Sequence, residues 1–161
     1  MRTHRSKSGV FAHFGSRDEL IKAVIDEAVN RVKNEVMVPA LREPRGVQRL
    51  RALFTNWVRW MTSRSAGCVL LAASMEYDDR PGGIRDALVV HLKGLRGSVV
   101  RAVRLALDTG ELRPDTDAEL VGFELYGACM TAQHDFRMLG DSDAAAKALR
   151  VFDRVIACHA A

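Results

Sequence analysis

Apolar side chains recur at i, i+3 and i+4 along nearly the whole chain, and no stretch alternates apolar β-branched with polar residues between turn signals. The backbone is thereby confined to helices packed on helices, and the expected fold class is all-α. Ile21, Ile25, Val29, Val32 and Val36 form the stripe of a long helix predicted over 16–38. Ser16 serves as its N-cap, Glu19 completes a capping box, and Pro39 and Pro44 end it. Leu50, Leu53, Phe54, Trp57, Val58 and Met61 keep the same spacing over 47–63. "CVLLAASMEY" at 68–77 carries hardly any charge, which predicts a central helix packed on most sides. After the break "DDRPGG", Ile84, Leu88, Leu92, Leu95, Val99, Ala102 and Ala106 align in a helix over 83–108, with Gly110 as its C-cap. Two further helices are predicted: "RPDTDAEL" starts one that runs to 139, capped by Thr116 or Asp117, and "GDSDAAAKAL" opens one that runs to 158.

With 161 residues the chain fits one domain, or a module of a larger one, and 48% hydrophobic with 27% charged residues is the balance of a folded protein. The longest apolar run, 68–73, is too short to cross a bilayer, and the first residues lack the apolar core of a signal peptide. A cytoplasmic protein without a membrane partner is expected. Cys68, Cys129 and Cys158 are odd in number and lack CxxC spacing, so reduced thiols are expected rather than disulfides or a zinc site. His4, His13, His91, His134 and His159 show no metal-binding spacing, and no phosphate loop or nucleophile elbow occurs. No pattern brings Cys68, His91 and Asp135 together as a triad. No catalytic residue, metal or cofactor is expected, and the chain does not read as an enzyme.

One stretch differs in chemistry. "SKSGVFAHFGSRDEL", residues 6–20, follows Arg2 and Arg5, and residues 1–17 contain cations and no acid. Ser6 can cap a short helix over 7–14 whose first turn offers Lys7, Ser8 and the bare backbone of Gly9, small polar groups beside a cation that suit close approach to a phosphate-lined groove. Val10, Phe11 and Phe14 supply its buried side, and Arg17 falls in the first turn of the next helix, where a phosphate would sit. The run "SKSGVFAHFGSRDELIKAV" resembles the recognition helix and following helix of TetR-type transcriptional repressors, and "GCVLLAASMEYDDRPGGIRDAL" is similar to a stretch of their regulatory domains. The resemblance covers essentially all residues.

That resemblance implies a division into a DNA-binding region, 1–38, and a ligand-binding and dimerisation domain, 39–161. It carries Arg5, Ser6, Lys7, Ser8, Gly9, Phe11, His13 and Arg17 to double-stranded DNA. Phe11 stands where the family has a phosphate-contacting Tyr and lacks its hydroxyl, and Arg17 replaces a Lys. The family pattern begins with two further helices, which Met1 to Arg5 are too few to supply. The 161 residues alone are therefore expected to bind duplex weakly and with little sequence discrimination.

The family also encloses a ligand pocket among its second to fourth long helices. Trp57, Met61, Cys68, Leu71, Met75, His91 and Leu95 are bulky or polarisable groups suited to lining an apolar cavity of a few hundred Å³, roughly, for a small hydrophobic effector. The last two helices carry more apolar surface than one subunit covers, interspersed with small residues. This predicts a homodimer face built on Phe123, Gly127, Met130, His134, Leu149, Phe152 and Ile156. The expected function is a TetR-type regulator, a repressor, that binds DNA as a dimer and is released by a small molecule. The alternative is a dimeric ligand- or partner-binding helical module without specific DNA binding.

Overall fold

The computed structural model describes residues 14–62 and 68–161. The described residues form helices: α1 (Arg17–Val32), α2 (Val47–Thr62), α3 (Val69–Tyr77), α4 (Gly83–Asp108), α5 (Ala118–His134) and α6 (Ala144–His159). The short helix expected over 7–14 lies outside the described residues, apart from Phe14.

Ser16 caps α1 as expected, its hydroxyl accepting from the Glu19 N–H at 3.1 Å. The reciprocal half of the box is missing, because the Glu19 carboxylate turns to Lys22 at 3.0 Å. α1 does not stop at Val32. A π segment, Lys33–Met37, and one α turn, Val38–Ala40, carry it past Pro39. Pro39 has no N–H to donate and its ring crowds the carbonyl four residues back, so the chain widens. Val38 donates to the Lys33 carbonyl, five residues back, and Asn56 Nδ2 on α2 donates to the Val36 carbonyl at 3.3 Å.

α2 is the central element. It packs against the π segment, α4, α5 and α6, and it buries Leu50, Leu53, Phe54, Trp57, Val58 and Met61. Phe54 stacks on Phe152 of α6 with ring centroids 5.1 Å apart, and Trp57 meets Tyr126 of α5 edge-on at 5.8 Å. A distant acid holds the start of α2: Glu111 Oε2 accepts the Val47 N–H at 3.0 Å. Gly46, at φ +109, leaves room for that carboxylate, which any Cβ there would overlap.

α4 spans the predicted 83–108 and ends on Gly110, which adopts the left-handed conformation just past the helix at φ +73. Asp117, not Thr116, caps α5, accepting from the N–H groups of Glu119 and Leu120. Thr116 is buried instead, its hydroxyl without a partner. α5 also ends in a π segment, Asp135–Leu139, closed by Gly140 at φ +71. Gly122 sits where α4 and α5 touch; a Cβ there would lie 2.7 Å from a Val100 methyl.

The expectation for 68–77 is corrected. α3 is peripheral, with Leu70 its one buried residue. It packs on α1 and α4 and stands off from α5. An apolar circumference suits a helix beside an apolar groove as well as one inside a core, and here Val69 and Met75 face outward.

Candidate functional site

The gap between α3 and α5 is an open groove of about 810 Å³, the volume of a small-molecule site. Val69, Leu71, Ala72 and Met75 form the α3 wall, and Met130 with Thr131, Gln133, His134 and Arg137 forms the α5 side, with Cys68 at the head of α3. The apolar wall thus faces a polar edge. His134 Nδ1 lies 3.2 Å from the carboxylate of Asp135. The Arg137 guanidinium is exposed and has no ion pair among the described residues.

Behind the groove lies a narrow cavity of about 20 Å³, room for a single water, lined by Val32, Trp57, Met61, Cys68, Leu70, Leu71, Leu92, Leu95, Tyr126 and Met130. Cys68, Leu71 and Met130 belong to both spaces.

Five of the seven predicted pocket residues, Trp57, Met61, Cys68, Leu71 and Leu95, converge on the small cavity. The cavity of a few hundred Å³ expected among them is absent, because their side chains interdigitate. Met75 lies on the open groove only. His91 lies on neither: its Nε2 meets Asp26 Oδ1 of α1 at 3.0 Å, on the flank of α4 that faces α1. A helix stripe read from sequence does not tell which neighbour its edge will meet, and that edge falls at His91. The volume lies instead along α3, where Val69, Ala72, Thr131, Gln133 and Arg137 had no sequence signal beyond ordinary helix composition.

Burial pushes the Cys68 thiol upward from its ordinary range, and burial raises that of Cys129 further. Both are protonated, weakly nucleophilic thiols near neutral pH. The groove therefore offers a binding surface rather than a nucleophile. Among the described residues no three His, Cys, Asp or Glu side chains cluster to hold a metal, and no helix is long and apolar enough to cross a membrane.

The expected dimer residues separate into three groups. Phe123, 58% exposed, and Gly127 lie on a second, outer groove between α5 and α6 of about 390 Å³, with Lys147 and Val151 beside them. Met130 and His134 lie on the α3 groove. Phe152 and Ile156 are buried in the single chain, and Leu149 packs against the same core. Phe152 is fully buried against Phe54, so it is corrected from an interface residue to a core one. α6 carries apolar residues on more than one flank, and sequence alone does not say which flank α2 takes.

Of the residues expected to face DNA, Arg5, Ser6, Lys7, Ser8, Gly9, Phe11 and His13 lie outside the described residues. Arg17 is the first residue of α1 and is exposed.

SCO4454, a TetR-family transcriptional regulator from Streptomyces coelicolor, superposes with a TM-score of 0.81 at 20% identity, over 96% of this chain and 73% of that one. AibR, solved with isovaleryl coenzyme A and operator DNA, gives 0.72 at 18%, over 96% and 80%. No curated protein matches the sequence. The profile of the tetracyclin repressor-like C-terminal domain matches residues 46–152, from the turn before α2 into α6, and the chain belongs to that family.

Proposed function

We propose that the protein is a dimeric, ligand-responsive transcriptional regulator, a cytoplasmic repressor, in which residues 1–38 read DNA and 39–161 sense an effector and dimerise. One observation carries the reading: α3, a wall of the large groove, packs directly on α1, the helix that leads out of the DNA-facing segment. A ligand that fits one setting of α3 better than another biases the tilt of α1 through that contact and through the Asp26–His91 bond to α4. Two copies joined through Phe123, Gly127 and the outer α5–α6 face would convert the tilt into a change of spacing between two DNA-reading segments. The operator and acyl thioester bound to AibR, which shares the fold, lend support to DNA and small-molecule partners.

The small interior cavity of about 20 Å³ favours a second reading, a dimeric partner-binding module with no buried effector and no specific DNA contact.

Titration of a selected operator against random duplex at matched salt separates the two. We expect salt-dependent binding to random duplex through Arg2, Arg5, Lys7 and Arg17, and a regulator that reads an operator predicts a gap of about 4 kcal/mol or more between operator and random DNA. No gap favours the partner-binding module.

A further inference from the structure

Cys68, Leu71 and Met130 line both the open groove and the narrow cavity, so the two spaces adjoin at these three side chains. Outside the partition the groove widens to about 810 Å³ and ends at a polar edge with Thr131, Gln133, His134 and Arg137. Inside, the walls are Trp57, Met61, Leu92, Leu95 and the ring of Tyr126, without a charged group.

We propose that the three residues form a gate, and that the ligand is a single-chain amphiphile with an anionic head: the head rests on Arg137, and the tail passes the gate toward Trp57. The assignment rests on the effector-sensing reading above and names the chemistry of that site. Charge supports the head group. Arg137 is exposed and carries no ion pair among the described residues, and no carboxylate is among the residues lining this groove. A guanidinium presents a planar fork that a carboxylate or phosphate meets in two hydrogen bonds. Side-chain chemistry supports the tail. Met130 at the gate and Met61 behind it are unbranched and change rotamer at small cost, so the 20 Å³ space can grow by displacing thioether chains rather than backbone.

Position-labelled brominated fatty acids test the geometry, because bromine quenches indole emission only on near contact. Trp60 does not line the cavity and has Arg31 over its ring, but its indole reaches Cys68, so a Trp60→Phe background leaves Trp57 as sole reporter and is compared with the parent for unchanged dodecanoate half-saturation. We expect 12-bromododecanoate to quench Trp57 saturably and 2-bromododecanoate, with its bromine at the head, to bind competitively without quenching. Arg137→Glu, an exposed change, should raise the half-saturation for dodecanoate at least tenfold and leave dodecanol unaffected. Met130→Ala should tighten binding of the 12-bromo acid several-fold. Equal quenching by both acids, or no saturable quenching by either, overturns the gate. An unchanged half-saturation in Arg137→Glu overturns the head-group assignment. Because the readout involves no DNA, these outcomes are independent of the operator titration, and failure here leaves a DNA-binding dimer standing.

Discussion

The sharpest divergence between sequence pattern and structure is at Phe152, and it gives the most exacting prediction. The ring is fully buried, stacked 5.1 Å from Phe54, and covered by the Arg51 guanidinium at 4.8 Å, which Asp153 holds in place at 2.6 Å. Phe152→Ala removes a core ring and leaves a void between α2 and α6, a change that costs about 3–5 kcal/mol. A domain of this size has roughly 5–15 kcal/mol of stability, so the loss is a large fraction of it and should lower the melting temperature by about 10 °C or more. Gly127→Arg is the contrasting change. Nothing lies within 4 Å of a Cβ built at Gly127, and arginine is the better helix former by about 1 kcal/mol, so the subunit keeps or gains stability. On the outer α5–α6 face, however, it buries an unpartnered charge against a second copy and should weaken the dimer by about 2 kcal/mol or more, some thirtyfold in Kd. Urea unfolding at two protein concentrations separates subunit stability from dimer linkage, and sedimentation gives the dimer Kd. The reasoning is refuted if Phe152→Ala dissociates the dimer at unchanged subunit stability, or if Gly127→Arg unfolds the subunit.

Three smaller tests follow from individual contacts. Thr116 is buried with an unpartnered hydroxyl while its N–H is bonded to the Arg113 carbonyl, so Thr116→Val should stabilise the protein by about 1 kcal/mol in urea; a loss of that size contradicts the burial argument. Asp117→Ala removes the acceptor for two N–H groups at the start of α5 and should cost about 1 kcal/mol by the same assay, whereas a neutral result would mean water replaces it. Burial raises Cys129 and Cys68, so the folded chain holds those thiol protons more tightly than the unfolded chain; the stability this gives is complete below the ordinary thiol value of 9.0 and is lost as pH rises past it. Melting curves from pH 7 to 11 should therefore fall less steeply for Cys129→Ala than for the parent, and parallel curves would refute the assignment.

Helix content was legible because it depends on local signals that the chain states outright. The 83–108 stripe, the Ser16 cap and the glycine after Asp108 each specify their element through neighbours within a turn or two. What escaped depends on partners far away in sequence. Glu111 caps α2 from 64 residues downstream. The π segment before Pro39 needs Asn56 to take the Val36 carbonyl. The assignment of His91 to Asp26 and of Phe152 to Phe54 depends on which flank of a helix meets which neighbour, and periodicity leaves that choice open. The apolar character of α3 was visible; that it lines a groove rather than fills a core was not, since both environments select the same residues. Cys68, Leu71 and Met130 were each singled out by residue type, but their common position between two spaces arises only when α3 and α5 are brought side by side.

The central claim is that occupancy of the α3 groove is coupled to DNA affinity. The direct measurement is fluorescence anisotropy of an operator duplex, selected from a random library, titrated with and without saturating dodecanoate at fixed salt. The account predicts that the fatty acid weakens operator binding about 5- to 150-fold, the range of ordinary allosteric coupling, and that Arg137→Glu removes the effect at the same dodecanoate concentration. Superimposable titrations in the presence and absence of a ligand shown to occupy the groove would contradict it.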